Sequence, residues 1–159
     1  MTWRPPDYRC AVDRQWIDYN GHLRDAYYTL IFSKAIDALM DEIGLDPAYR
    51  ERTGGTLYTL ETHVHYLNEV KASDEIRVSV RALGTDAKRL HLGLAMHCPR
   101  QAEPVALAEF MLLHVRQAPD PTSAPFPAEV LQRLEAWQAS DAVAPGLARG
   151  SRKMELLRR

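Results

Sequence analysis

One short segment carries most of the residues in this sequence that could do chemistry. It spans residues 16–22, reads WIDYNGH, and is followed by a stretch with a helical pattern. Its Asn20-Gly21 step is a strong turn signal, because both residue types tolerate positive φ. We therefore expect Asp18 to lie in a turn beside the unpaired backbone N–H groups of a helix start. A carboxylate in that position can attack a carbonyl or activate water, while the N–H groups stabilise the resulting oxyanion.

A conformational role for the same residues is an equally good interpretation. Asp18 would then only cap the turn, and Asn20 would only shape it. In the catalytic alternative, Asn20 orients the aspartate or the reacting carbonyl. His22 could hydrogen-bond Asp18 or position water, although a single histidine in a turn more often only packs there.

A second polar group stands further along the chain. Glu61, His63 and His65 alternate, so they share one face of a candidate strand. A His-x-His pair can bind a metal, but no third ligand stands at a recognisable spacing, and we predict no metal site. Glu61 and His63 could instead line a ligand pocket, a subunit interface or a solvated face.

The hydrophobic pattern predicts the elements that would position these groups. Loose alternation indicates a strand over residues 8–17. A mostly apolar stretch that stops before Gly44 indicates a long helix over residues 25–43. Because only a narrow polar stripe interrupts its surface, we expect this helix to be covered on most sides.

Four alternating segments follow the helix and predict antiparallel strands joined by short hairpin-type loops. A Pro-rich link then leads to a short helix near residues 127–139. Five strands that curl round one buried helix form the hotdog arrangement, an α+β fold. Residues 1–139 would form this single domain, and residues 140–159 a loosely ordered tail. Its open sheet edges favour a homodimer or a homotetramer. The four segments span residues 56–68, 75–83, 88–98 and 104–116.

Composition excludes several classes of protein. The 159 residues carry a net charge of −1, whereas a protein that binds nucleic acid should carry a strong excess of basic residues. No apolar stretch approaches the ~18 residues of a transmembrane helix, and the first residues lack a signal-peptide core. Cys10 and Cys98 stand at no metal-site spacing and suit a reducing compartment, so we expect a cytoplasmic protein with no membrane partner.

The stretch from Asp18 to His22 resembles the D-x-N-G-H motif of small hotdog thioesterases in the 4-hydroxybenzoyl-CoA thioesterase-like family. The similarity continues through Tyr27 and Tyr28, and the order of elements agrees over about residues 8–116. Three segments are more specifically similar to betainyl-CoA thioesterases, which belong to bacterial carnitine breakdown and occur beside, or fused to, carnitine dehydrogenase. These segments are WIDYNGH at 16–22, YTLETH at 58–63 and KRLHL at 88–92.

The resemblance implies hydrolysis of a small acyl-CoA, with betainyl-CoA, cleaved to glycine betaine and CoA, as the expected substrate. Asp18 matches the catalytic aspartate of the family, a nucleophile or general base toward the thioester carbonyl. The family's oxyanion donor is a backbone N–H that falls at Asp25, with Ala26 or Tyr27 as alternatives. One such donor is worth about 3 kcal/mol. No cofactor is implied, because the substrate brings its own activated carbonyl.

The resemblance also implies contacts to both ends of the substrate. A trimethylammonium group binds aromatic faces, which supply about 1–2 kcal/mol of cation–π attraction. Trp16 and Tyr19 flank Asp18 and are the first candidates, although core packing is the alternative for any ring. Basic side chains would bind the CoA phosphates. The predicted contacts are Trp16, Tyr19, Tyr27, Tyr28, Glu61 and His63 for the acyl group, and Lys88 and Arg89 for CoA.

Other functions stay open at this level. A hotdog module could bind acyl-CoA or acyl carrier protein without turnover, although Asp18 argues against it. A hydratase would need an Asp and a His on either side of a double bond, whereas Asp18 and His22 share one turn. A thioesterase for another short or aromatic acyl-CoA is the remaining alternative.

Overall fold

One antiparallel sheet curls around a long helix in the computed structural model, which describes residues 3–141. The strand order is β1-β3-β4-β5-β2, and β6 pairs with β5. The predicted α+β architecture is therefore confirmed. A 3₁₀ turn at Arg14–Trp16 follows β1. The other elements are β1 (Tyr8–Ala11), α1 (Asp25–Ile43), α2 (Pro47–Thr53), β2 (Gly55–Tyr66), β3 (Glu75–Thr85), β4 (Arg89–His97), β5 (Ala106–Arg116), β6 (Thr122–Ser123) and α3 (Ala128–Asp141).

The connection between β2 and β3 differs from the prediction of a hairpin. β2 pairs with β5, and β3 pairs with β1 and β4, so residues 67–74 cross the end of the sheet instead of closing a turn. The connections of β3 to β4 and of β4 to β5 do join neighbouring antiparallel strands, as predicted. The crossover brings its residues beside the start of α1, where Leu23 N donates to Val70 O.

The core lies between the concave face of the sheet and one side of α1. Ile31, Phe32 and Ile43 of α1 are almost fully buried, as are the alternating leucines of β4. The opposite side of α1 is exposed and includes Leu30 and Lys34. The expectation that α1 is covered on most sides is thus wrong for a single chain, because the sheet curls round only part of the helix. Gly44 ends α1 in the left-handed conformation with φ of 92°.

One local prediction needs correction, and one helix had no prediction. The first strand ends at Ala11, because the Asp13 side chain accepts a hydrogen bond from Gln15 N and starts the 3₁₀ turn that contains Trp16. Helix α2 was not predicted. Its signals are Asp46, whose carboxylate accepts from Tyr49 N over 2.7 Å, and Pro47 in the first turn.

Strand β2 forms an edge of the sheet and, within the described residues, pairs only with β5. A bulge at Leu60 shifts the register, since Thr59 pairs with Leu112 and Glu61 with Met111. Tyr58, Leu60 and Tyr66 expose 38, 56 and 52% of their surface along this edge. An exposed edge with large apolar side chains favours pairing with another strand.

The C-terminal helix extends slightly beyond its predicted end. Asp141 is buried at the end of α3, where its carboxylate accepts from Ala82 N and pairs with Arg4. Residues 142–159, most of the predicted tail, lie outside the described residues. Within residues 3–141, no helix combines the length and apolar character needed to span a membrane.

Candidate active site

A cleft of about 440 Å³ lies between the start of α1, the end of β2 and the segment that follows β2. The turn before α1 forms one wall, and Tyr66 with the crossover after it forms the other. The two walls are distant in sequence and meet because β2 lies beside α1 at this end of the sheet. The lining residues include Asp18, His22, Arg24, Asp25, Tyr28, Tyr66, Asn68 and Glu69.

Asp18 closes the turn with only one of its two carboxylate oxygens. Oδ1 accepts hydrogen bonds from Asn20 N at 2.8 Å and His22 N at 3.2 Å. Gly21 completes the turn with φ of 80°. Among the described residues, Oδ2 accepts no hydrogen bond. The structural role of Asp18 in the turn is thus observed, and it leaves one oxygen of the carboxylate available for chemistry.

Three backbone N–H groups at the start of α1 were candidate oxyanion donors. Ala26 N already donates to the Asp25 carboxylate at 2.9 Å, and Tyr27 N donates to Arg24 O at 2.9 Å. Within the described part of the chain, Asp25 N has no acceptor, as expected for the first N–H of a helix. The Asp25 carboxylate accepts its hydrogen bond from Ala26 N, so it does not occupy the N–H of Asp25 itself. Of the three, Asp25 N is the one free to bind an oxyanion.

His22 has a different partner from the one considered in the sequence. Its Nε2 lies 2.9 Å from Glu69 Oε2, so the ring contacts the crossover and only the backbone of His22 contacts Asp18. The turn forces this arrangement, since it directs the backbone N–H of His22, rather than its ring, toward Asp18. The ring links the two walls of the cleft. Asn20 is exposed, and the contact that it makes with Asp18 is likewise through its backbone N–H.

Two tyrosines line the inner part of the cleft. The rings of Tyr28 and Tyr66 pack edge to face, with centroids 5.2 Å apart. The Tyr28 hydroxyl donates to Asn68 O, and burial raises its pKa. The Tyr66 hydroxyl donates to Asp25 O at 3.3 Å. Tyr66 was among the aromatic residues of the sequence but was not predicted as a substrate contact.

Three other predicted aromatic contacts do not line this cleft within one chain. Trp16 and Tyr27 stack on each other, with ring centroids 5.6 Å apart and an angle of 16° between planes. The Lys34 ammonium lies 5.3 Å from the Trp16 ring centroid. Tyr19 is 93% exposed. The 3₁₀ turn explains this placement, because it directs Trp16 toward the exposed side of α1 instead of toward Asp18.

Glu61 and His63 lie on the outer face of the sheet. Residues that pair directly across two strands share a face of the sheet. Glu61 pairs with Met111 and His63 with Glu109. The alternate residues of β5, Ala108 and Phe110, face the core, so Glu61 and His63 face away from it. His63 Nε2 lies 2.7 Å from Glu61 Oε1. Both residues line a separate cavity of about 230 Å³ with His91 and Glu109. Within one chain they are therefore separated from the Asp18 cleft by the sheet.

This outer-face cluster does not form a metal centre in the described residues. His91 Nε2 lies 2.9 Å from Glu109 Oε2, so each of the two histidines is paired with a carboxylate. In the described part of the chain, no group of three or more possible ligands is arranged to hold a metal ion.

Lys88 and Arg89 lie at the far end of the sheet from Asp18. Arg89 pairs with Leu113 of β5 and Tyr66 with Ala106, and seven residues of strand correspond to about 23 Å. Lys88 Nζ contacts Ser123 Oγ at 3.0 Å, and the Arg89 side chain contacts Asp86 at 2.6 Å. Hydrogen bonds from Lys88 N and the Arg89 side chain lower the pKa of Asp86 to about 2. Asp86 therefore already neutralises part of the charge at this end.

An ion pair between the buried Asp74 carboxylate and the exposed Arg100 fixes the crossover that carries the second wall. Arg100 donates to both oxygens of Asp74 at 2.6 Å, and Lys71 N donates to Oδ2 at 2.8 Å. These hydrogen bonds, above all those from Arg100, lower the pKa of Asp74. His22 pairs with Lys71 in a short bridge, so the ion pair and the turn are connected through the backbone.

Comparison with known proteins establishes the family of this chain. Residues 12–134 match the thioesterase-like superfamily, so the chain belongs to that superfamily, as its sequence motifs predicted. It is 48% identical over 138 residues to the betainyl-CoA thioesterase of Pseudomonas aeruginosa, covering 87% of this chain and 86% of the relative. It is also 39% identical to the L-carnitine dehydrogenase/betainyl-CoA thioesterase of Rhizobium meliloti, covering 78% of this chain but 25% of that longer protein.

Solved structures support the same assignment. A candidate thioesterase from Pseudomonas putida KT2440 superposes with a TM-score of 0.83 at 40% identity, covering 99% of both chains. A Staphylococcus aureus protein determined in complex with CoA superposes with a TM-score of 0.84 at 27% identity, covering 95% of this chain and 94% of that chain. The hotdog fold and the thioesterase family are therefore confirmed.

Proposed function

We propose that this chain hydrolyses betainyl-CoA, with water, to glycine betaine and CoA. The observation that supports this function best is the cleft that Asp18 shares with the start of α1. It joins the Asp18 carboxylate to the backbone N–H of Asp25, and among residues 3–141 one carboxylate oxygen and this N–H have no hydrogen-bond partner. The similarity to the P. aeruginosa betainyl-CoA thioesterase supports the choice of acyl group.

Asp18 and Asp25 N have complementary roles in this reaction. Asp18 Oδ2 attacks the thioester carbon or takes a proton from the attacking water. The carbonyl oxygen gains negative charge as the new C–O bond forms, and Asp25 N–H donates a hydrogen bond to it. Collapse of the tetrahedral species breaks the C–S bond. When Asp18 acts as the base, it returns the proton that it took from water to the departing thiolate, and glycine betaine and CoA are released. When Asp18 attacks directly, the collapse leaves an acyl–Asp18 anhydride, and water then hydrolyses it to glycine betaine and the free carboxylate, releasing a proton that the CoA thiolate takes up. The turn that holds Asp18 Oδ1 keeps the carboxylate in place throughout.

The protein acts as a cytoplasmic homodimer that pairs the free β2 edges of two copies. Antiparallel pairing about a two-fold axis would invert the partner sheet, so the Lys88 end of the partner approaches the Asp18 end of the first copy. This arrangement would bring Lys88 of the partner subunit close to Asp18, although the two ends of the sheet lie ~23 Å apart within one chain. Lys88 of the partner subunit then suits a CoA phosphate better than Arg89. Within residues 3–141, the Lys88 ammonium contacts only the Ser123 hydroxyl, whereas Arg89 is paired with Asp86.

Free-thiol release from a panel of acyl-CoAs tests the proposed function. The panel contains betainyl-, acetyl-, butyryl-, hydroxybenzoyl- and palmitoyl-CoA. We expect the highest kcat/KM for betainyl-CoA. Preference for a neutral acyl group would retain a thioesterase with a different substrate, and no thiol release from any of them would favour a binding module.

A further inference from the structure

The Asp18 cleft contains a ring and a carboxylate that are not among the substrate contacts predicted from the sequence. Tyr66 is half exposed at the end of β2, and Glu69 follows in the crossover. Both line the cleft together with Asp18 and Asp25. On the basis of the proposed function, we propose that Tyr66 and Glu69 select the cationic acyl group of the substrate.

The length of the acyl group limits where its cation can bind. One methylene separates the ammonium nitrogen of a betainyl group from the thioester carbonyl carbon. Any residue that binds the cation must therefore line the same cleft as Asp18 and Asp25 N. Tyr66 meets this condition, because its hydroxyl donates to Asp25 O at 3.3 Å and fixes the ring beside the start of α1.

The surroundings of Tyr66 suit a cation that forms no hydrogen bonds. Tyr28 supports the ring from one side in an edge-to-face contact, and 52% of Tyr66 stays exposed. A quaternary ammonium group binds such a ring through the quadrupole of its π system. Because the ring is held at its hydroxyl and against Tyr28, little side-chain freedom would be lost on binding.

Charge in the cleft also favours a cation. Asp18, Asp25 and Glu69 contribute carboxylates, and Arg24 contributes a guanidinium group. Glu69 is the carboxylate of the crossover wall, where the His22 ring holds it at 2.9 Å. A carboxylate attracts a quaternary ammonium without a directional bond, whereas a neutral acyl group of the same shape gains nothing from it.

Trp16, the first candidate from the sequence, fits this role less well. Its ring stacks on Tyr27 and already has the Lys34 ammonium at 5.3 Å from its centroid. It is also absent from the residues that line the cleft. A cation so close to the carbonyl would have to displace Lys34 and leave the cleft to reach it.

Two isosteric substrates test the assignment. In 3,3-dimethylbutyryl-CoA a carbon replaces the ammonium nitrogen, so the acyl group keeps its shape and loses its charge. We expect Tyr66→Leu and Glu69→Gln each to lower kcat/KM for betainyl-CoA by about 10-fold, equivalent to 1.4 kcal/mol, and to change kcat/KM for the neutral substrate by less than about 3-fold. Tyr66→Phe retains the aromatic face and should keep most of the preference in kcat/KM for betainyl-CoA over the neutral substrate. Glu51→Gln removes an exposed carboxylate from α2 and should leave it unchanged.

Two outcomes would overturn the assignment. Equal losses on both substrates would show that Tyr66 and Glu69 only shape the cleft, while hydrolysis of betainyl-CoA would stand. Loss of the preference in Trp16→Leu, but not in Tyr66→Leu, would move the cation to Trp16.

Binding separates this assignment from the proposed function. Calorimetry of both substrates with Asp18→Asn measures recognition of the cation without turnover. If the wild-type chain hydrolyses no thioester, the proposed function fails. A binding preference for betainyl-CoA that disappears in Tyr66→Leu would still support the cation site, and its absence in Asp18→Asn would overturn it.

Discussion

The backbone N–H of His22 donates to Asp18 Oδ1 over 3.2 Å, so the carboxylate that we propose for catalysis also closes its own turn. A second donor, Asn20 N, reaches the same oxygen. One residue thus combines a structural and a chemical role, divided between its two oxygens. Substitutions that remove one role and keep the other can separate them.

Asp18→Asn should abolish catalysis and preserve the turn. Its amide oxygen can still accept the two backbone hydrogen bonds, but a neutral amide can neither attack nor take a proton. We expect kcat to fall by at least ~10²-fold, with the unfolding free energy unchanged within about 0.5 kcal/mol. Asp18→Ala removes both roles and should cost a further 1–2 kcal/mol of stability, approximately the cost of losing a cap. Thiol release and urea denaturation measure the two effects, and near-normal turnover in Asp18→Asn would exclude Asp18 from the mechanism.

Gly55→Ala should destabilise the fold because of a close backbone approach. A Cβ at Gly55 would lie 2.6 Å from Tyr49 Oη and 2.7 Å from Cε1. Tyr49 has little freedom to move, since its hydroxyl bonds the buried His114 Nε2 at 2.9 Å. We expect a loss of about 1–3 kcal/mol in urea denaturation.

Gly84→Ala is the matched control for that substitution. Gly84 also lies in a strand, but its added Cβ would meet His91 Cβ at 3.8 Å, an ordinary contact. Its unfolding free energy should change by less than about 1 kcal/mol. Similar losses at both glycines would argue against the steric explanation.

Arg100→Met should destabilise the fold in a pH-dependent manner. The substitution leaves the Asp74 carboxylate buried without its main partner, at a cost of about 2 kcal/mol at pH 7. The pair lowers the pKa of Asp74 in the folded state, so its stabilisation is present above the unfolded pKa of about 3.9. This stabilisation is lost as the pH falls through the lowered pKa that Asp74 has in the folded protein.

Urea denaturation of the wild type and Arg100→Met at pH 7 and pH 3 measures this linkage. The difference between the two proteins should be smaller at pH 3. Arg77→Met breaks the exposed pair with Asp7 and should cost less than about 1 kcal/mol at pH 7. If the loss of unfolding free energy in Arg100→Met is the same at both pH values, the charge of Asp74 is not its cause.

Charges placed on the free β2 edge should dissociate the proposed dimer. Tyr58→Glu with Leu60→Glu replaces two exposed apolar side chains with carboxylates, which would repel their copies across a two-fold axis. We expect the dimer Kd in sedimentation equilibrium to rise at least ~10-fold, equivalent to 1.4 kcal/mol. Tyr19→Glu replaces an exposed ring outside β2 with a carboxylate and should leave the Kd unchanged. A wild-type chain that is monomeric at micromolar concentration would contradict the dimer.

The arrangement of strands illustrates the limit of sequence reasoning. The alternation of apolar residues predicts β2 near its observed bounds, but the turn residues after it also predict a hairpin where the chain crosses the end of the sheet. Pairing partners depend on contacts between residues far apart in the chain, and a strand pattern does not specify them. The bulge at Leu60 adds a further change, because one extra residue moves Tyr58 to the face that carries Glu61.

The sequence by itself determined the long helix, the turn before it and the family. Helix α1 was predicted over the residues that it occupies, 25–43, because its apolar pattern, Asp25 and Gly44 act within a few residues of one another. The turn around Asp18 follows from Asn20 and Gly21 for the same reason, and the family follows from that motif.

Only the tertiary structure decided which side chains share the cleft. It joined Tyr66 and Glu69 to Asp18, left Trp16 stacked on Tyr27, and separated Glu61 from Asp18 by the thickness of the sheet. These placements depend on the pairing of β2 with β5, on the crossover after β2 and on the register of the sheet. Such long-range contacts form only when the whole core packs, so the spacing of residues along the chain cannot reveal them.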